Sequence, residues 1–343
     1  GGNSTTPSSG IYKIVNNHLE AAAENIMFGG ADPDPQLQID TDIEVRRNYL
    51  YKPQRWNPKS PEYVAESPNP YNVKNCFELK SASRVLVEGN VCDGVWAGFS
   101  QKGRAVLLTT KNQPGSVDNV TIRYNLWQRI GGTWEIGNMT FPGYAYTLHD
   151  NLFAQVKWSY CYGGCGLYDS QITTDAGSTV NILHDISITH NTVAVDPAVE
   201  GMDGVENGTL TIDGPLGQKQ SNLAINDNIL VAGHYGLWPA NGGCANSPSE
   251  KSPQGRIASC WSGWRMTGNI IAGGQSISGQ LKLWPPGNSQ PANQSAIGYT
   301  DLLGGDYSLS PDSPYRHTAT DGTDPGADMD TLKALTWGVI DKM

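Results

Sequence analysis

Five side chains suited to acid–base chemistry, Glu78, Lys80, Glu135, Asp169 and Asp213, lie in short apolar stretches: CFELK (76–80), TWEIG (133–137), GLYDS (166–170) and LTIDG (210–214). Neighbouring side chains on a strand point to opposite faces. With Phe77 and Leu79 inward, Glu78 and Lys80 face solvent. Trp134 and Ile136 likewise turn Glu135 outward, and Leu210 and Ile212 turn Thr211 and Asp213 outward. Asp169 is ambiguous by one residue of register. The same rule exposes Trp238 beside Leu237, exposes Lys282 and Trp284 beside Leu281 and Leu283, and adds Thr109 from AVLLTT (105–110). Carboxylates supply general acids and bases, and a Lys can take a proton beside a uronate carboxylate. Bare indoles stack on sugar rings and are costly to leave exposed otherwise. Against this stands a plainer reading, in which Glu78 and Lys80 are a solvated surface and Asp169 and Asp213 belong to turns.

Any such row needs an element that repeats. Two apolar residues bracketing a polar one, two variable residues, an Asn and a further apolar residue recur as YKIVNNHL, IEVRRNYL, VLVEGNVC, VTIRYNLW, YTLHDNLF, ISITHNTV, LAINDNIL and WRMTGNII. The asparagines are Asn17, Asn48, Asn90, Asn125, Asn151, Asn191, Asn228 and Asn269, with a mean interval of 36 residues. A period of this length belongs to a solenoid or a propeller, whose units bury their apolar faces by stacking. A short strand, an Asn where a left-handed turn is tolerated, and a second short strand form an L-shaped corner. A propeller would instead need hairpins with Gly-containing turns, and few are present.

Between corners lies a further apolar stretch: ENIMFGG, CFELK, AVLLTT, TWEIG, GLYDS, LTIDG, GLWPA and LKLWP. Each coil therefore has three short strands, and stacking gives three parallel sheets. In these features, over residues 11–315, the chain resembles the right-handed parallel β-helix, or pectin lyase-like, superfamily. The resemblance implies an all-β, single-stranded parallel β-helix with Asn-containing corners. It also implies that a polysaccharide substrate lies along the sheet formed by the further stretch. That places Glu78, Lys80, Glu135, Asp169 and Asp213 as catalytic candidates, and Thr109, Trp238, Lys282 and Trp284 as substrate-binding ones.

The predicted layout is a leader or linker over 1–10, the β-helix over 11–315, and a C-terminal loop and capping segment over 316–343. In the last part Leu332, Leu335, Trp337 and Ile340 can fold over the final rung. The first strand begins at Ile11 with no capping helix in view, so an upstream domain or a second subunit is expected at that edge. A net charge of −10 argues against nucleic acid, since binding phosphates needs a basic stripe. An acidic polysaccharide would need a local basic cluster. No run of 18 apolar residues is present to span a membrane, and GGNSTTPSSG lacks the parts of a signal peptide.

Six cysteines form three local couples, Cys76 with Cys92, Cys161 with Cys165 and Cys244 with Cys260. Disulfides are preferred over zinc for want of His at suitable spacing, implying an extracellular or periplasmic location. Calcium is a possible cofactor at Asp32, Asp34, Asp40 and Asp42 or at Asp321, Asp324, Asp328 and Asp330, although neither stretch has helix-loop-helix spacing. His149, Asp150 and His190 fall in the corner's variable pair, where polarity serves solvation. Glu78 and Glu135, two rungs apart, would be separated by roughly 9.6 Å, near the upper limit for an inverting glycosidase pair. A lyase would use Lys80 as base, with Arg46, Arg47 and Lys52 one rung earlier. The competing class is a non-catalytic structural or adhesive protein, such as a filament subunit joined through its N-terminal edge.

Overall fold

A computed structural model of the chain describes residues 10–30, 39–98, 102–110, 115–138, 143–160, 171–174, 183–197, 210–212, 214–232, 236–239, 243–246, 252–273 and 284–340. The chain winds as a right-handed parallel β-helix with three sheets. The first sheet stacks Tyr12–Val15, Thr41–Arg46, Ala82–Glu88, Val117–Arg123, Gly143–His149, His184–Thr189 and Gln220–Asn226, then Trp261–Ser262 and Arg265–Thr267. The second runs from His18–Glu20 through Tyr49–Tyr51, Val91–Val95, Leu126–Ile130, Leu152–Val156, Thr192–Val195 and Ile229–Ala232 to Ile270–Gly273. The third holds Ile26–Phe28, Phe77–Leu79, Arg104–Thr110, Gly132–Asn138, Gln171–Thr174, Leu210–Ile212 and Leu237–Pro239.

Register stacks like on like. In the first sheet Val45, Val87, Ile122, Leu148, Ile188, Ile225 and Met266 pair in succession and point inward, none more than 2% exposed. Each such side chain contributes roughly 1.5–3 kcal/mol on burial. A single rung has too few apolar residues to close a core, so stability is a property of the stack.

The corner asparagines form a continuous column. Asn48, Asn90, Asn125, Asn151, Asn191, Asn228 and Asn269 are fully buried. The Asn90 backbone N–H and its Nδ2 both donate to Asn125 Oδ1 at 2.9 Å, and a second Nδ2 bond reaches Val45 O. Asn125 repeats the pattern onto Asn151 and Val87 O. A ninth member, Asn288, accepts from Asn269 and extends the column beyond the repeat motif. The left-handed residue is the one before each Asn, not the Asn itself: Asn16, Arg47, Gly89, Tyr124, Asp150, His190, Asp227 and Gly268 have φ between 51° and 71°. A left-handed non-Gly residue costs about 1–2 kcal/mol, and the amide bonds of the column hold the turn against that cost.

Disulfides join Cys76 to Cys92 and Cys244 to Cys260. Cys161 and Cys165 lie outside the described residues. Among the described residues no helix is long and apolar enough to cross a membrane. Among the described residues the α-helices are α1 (Pro253–Cys260), N-capped by Ser252, and α2 (Met329–Thr336), N-capped by Asp328. On the first rung Tyr12, Ile14, Leu19 and Phe28 are only partly buried against the core.

The C-terminal segment departs from the sequence reading. It does not close the last rung but runs back along the flank of the coil. Thr320 and Gly326 bond to Asp227, Ala327 to Thr192, and Asp328 to Asp150. The Arg47 guanidinium then takes the carbonyls of Leu335 and Trp337. Leu332 and Met329 pack with Leu152, Ala194, Ile229 and Ile270 on the outer face of the second sheet. Trp337 is 77% exposed. The flank attracts the segment because outward positions there are apolar, a preference set by tertiary packing and unseen in the segment itself.

Candidate functional site

Pairing in the third sheet sets Met27, Glu78, Leu107, Glu135, Gln171, Thr211 and Trp238 in one column, one residue per rung. Phe77, Leu79, Trp134, Ile136, Leu210, Ile212 and Leu237 face the core, as alternation requires. Glu78 and Glu135 flank Leu107 two rungs apart, a spacing of about 9.6 Å. Thr109 stands opposite Gly137 one outward position further along.

Glu135 is held by two cations that sequence reading did not single out. Arg104 Nε donates to Glu135 Oε2 at 2.8 Å, and Lys102 Nζ lies 3.8 Å from the same oxygen. Arg104 is buried, whereas Lys102 is 49% exposed at its side chain. Burial pushes the Glu135 carboxyl up, but Arg104 and Lys102 outweigh it and hold the group below its ordinary value. A general acid in glycoside hydrolysis needs the opposite shift. The only sequence signal for these partners was the KGR run (102–104) just before AVLLTT.

Glu78 points outward but does not face solvent. It is 2% exposed, accepts from Asn75 Nδ2 at 2.9 Å and pairs with Lys80 Nζ at 2.9 Å. Its cover comes from the connection between the second and third sheets over residues 52–76. Asn75 is its contact with Glu78, and elsewhere in it Trp56 and Val73 join Trp96 and Tyr160 in an apolar cluster separate from the main core. Lys80 keeps 19% of its side chain exposed and touches Met27 Sδ. Lys74 pairs with Glu24 at 2.8 Å nearby. Arg46 and Arg47 do not approach Lys80: Arg46 pairs with Glu88 on the first sheet, and Arg47 holds the C-terminal segment.

The other candidates separate. Thr109 is 7% exposed, so its surface is mostly covered. Trp284 packs against the main core instead of facing outward. Asp169, Asp213 and Lys282 lie outside the described residues. The stretch GLYDS does too, and the third-sheet strand of that rung is Gln171–Thr174, which gives the column position to Gln171.

Among the described residues no group of three or more His, Cys, Asp or Glu is arranged to hold a metal. Asp40 accepts from Tyr12, and Asp42 pairs with Arg84, while Asp32 and Asp34 are outside the described residues. Asp321 caps Thr323, Asp324 accepts from the His317 backbone N–H, and Asp328 caps α2. These carboxylates border a cavity of about 660 Å³ between the C-terminal segment and the coil, also lined by Tyr124, His190 and Tyr307. Each bonds to its own loop, as turn and cap residues do.

The third sheet thus presents two neutralised carboxylates with Lys74, Lys80 and Lys102 at their margin. No protein-family model, curated protein or solved structure matches the chain, so this reading of the site rests on its own geometry.

Proposed function

We propose that this is an extracellular or periplasmic, pectin lyase-like protein that binds an acidic, uronate-bearing polysaccharide along the outward face of the third sheet. One observation carries the reading. The cations Lys80, Lys102 and Arg104 gather around a column that advances one residue per rung, inside a chain whose net charge is −10. The rung spacing of about 4.8 Å is close to the length of a pyranose unit, so successive sugars can meet successive rungs. Two disulfides accord with an oxidising compartment. Binding is favoured over hydrolysis, because Glu78 is covered and Glu135 is held ionised.

The test is affinity electrophoresis of the purified chain in polygalacturonate and in a neutral glucan. The expected result is retardation by polygalacturonate alone, weakened by salt, and reduced about tenfold by Lys102→Ala, the loss of one charge-assisted contact. Equal retardation by the neutral glucan, or none by either, refutes the proposal. Absorbance from unsaturated products in the same mixtures would add lyase activity with Lys80 as base. The alternative, a structural protein joined through its N-terminal edge, draws on the half-buried first rung and predicts oligomers by light scattering.

A further inference from the structure

Behind Glu78 lies a buried polar group that glycan binding leaves unused. Lys52 follows directly on the second-sheet strand Tyr49–Tyr51 of the second rung and is 0% exposed. Asn25 precedes the third-sheet strand Ile26–Phe28 of the first rung. Lys52 Nζ meets Asn25 Oδ1 more closely than an ordinary hydrogen bond, with Asn75 O at 3.4 Å as its other partner. The carbon of the Asn25 amide lies one C=O bond, about 1.23 Å, beyond that oxygen. Nζ is therefore in contact with the amide group whose carbon it would attack.

The Asn25 amide is oriented from its other side. Its Nδ2 donates to Leu19 O at 2.7 Å and to Tyr51 O at 3.3 Å. Burial pushes the Lys52 ammonium down to about 7, against the opposing charge of Glu24. A substantial share of the amine is therefore the neutral nucleophile at neutral pH. Glu24 is next to Asn25 in the chain, pairs with Lys74 and is the carboxylate whose charge acts on Lys52. A nucleophile, an amide carbonyl and a carboxylate are thus gathered beneath the connection over 52–76.

We infer that Lys52 and Asn25 are joined by a self-formed isopeptide bond that ties the first rung to the second. The neutral Lys52 amine attacks Asn25 Cγ, and a new N–C bond forms. The proton shed by Nζ passes through the Glu24 carboxylate to Nδ2 as the Cγ–Nδ2 bond breaks. One ammonia leaves, nothing is oxidised or reduced, and Glu24 is regenerated. The product is a secondary amide between residues 25 and 52 that a thiol reductant cannot open. This inference is independent of what the third sheet binds.

Mass spectrometry of the reduced, denatured full-length protein tests it. The expected mass is below that of the sequence by one ammonia, and digestion yields a branched peptide containing both Asn25 and Lys52. The unmodified mass with the two residues in separate peptides overturns the inference. Loss of ammonia without a branched peptide marks a succinimide at an asparagine and overturns it equally. Lys52→Arg is expected to show the unmodified mass, and Asn25→Asp to lose one water in place of ammonia. Glu24→Gln is expected to fold with the unmodified mass, and a complete cross-link in that variant overturns the role given to Glu24. If the Lys52 variant does not fold, the wild-type mass and branched peptide still decide the matter.

Discussion

Asn125→Ala should be far more damaging than Asn17→Ala, although both remove the same side chain from the same repeat position. In the interior, Asn125 Oδ1 accepts from the backbone N–H and Nδ2 of Asn90, and its Nδ2 donates to Asn151 Oδ1 and Val87 O. Truncation strands the buried backbone N–H of Asn90, leaves Asn90 Nδ2 with Val45 O and Glu88 O, and takes a donor from Asn151 Oδ1 and from Val87 O. A stranded buried polar group costs about 1–3 kcal/mol. Retained backbone bonds to some of these groups limit the sum, so about 3–6 kcal/mol is expected. Asn17 is exposed: among the described residues no donor reaches its amide oxygen, and its loss leaves only one of the donors to Asn48 missing. There about 0.5–1 kcal/mol is expected. Equilibrium unfolding in guanidinium, followed by circular dichroism, measures both. Similar losses in the two variants would mean that strand packing holds the corners and the amides do not, and the column argument would fail.

Arg104→Ala should lower stability by about 3 kcal/mol, because it leaves Glu135 largely buried with only the more distant Lys102. Glu135 titrates below its ordinary 4.5 when folded, so its contribution is present above that value and is lost as pH falls through the lower, folded one. In Arg104→Ala the folded value rises, and thermal melts from pH 7 to pH 3 should show a shallower acid decline. An unchanged slope would refute the assignment. Asp227→Ala removes the acceptor of Thr320 N and Oγ1 and should free the C-terminal segment by about 2–4 kcal/mol. Hydrogen exchange over residues 316–340 should quicken while the core strands stay protected, and uniform change across the chain would contradict a local clasp.

The coil was legible because its rule is local and repeated. A buried amide at one position per rung meets a matching amide one rung away, so the spacing of Asn17 through Asn269 implies the column. Asn288 escaped because it follows PPG with no alternating strand around it, and the column alone defines its place. Alternation likewise placed Glu78 and Glu135 on one face of the third sheet. It could not show that Glu78 is covered, since its partner Asn75 comes from a connection with no period. Nor could it pair Lys52 with Asn25, because each sits one residue outside a strand and their meeting depends on how two turns nest. The C-terminal segment displayed an apolar stripe, but its destination was fixed by Leu152, Ala194, Ile229 and Ile270, far away in the chain.

That destination bears on how the protein is made. Rungs can form in order as the chain leaves the ribosome or a translocon, each templating the next. The apolar outer side of the second sheet gains the last of its cover only after residues 320–336 have emerged, when every rung they touch is already in place. Until then a nascent molecule shows a greasy stripe to its neighbours, and chaperone demand should peak late in synthesis.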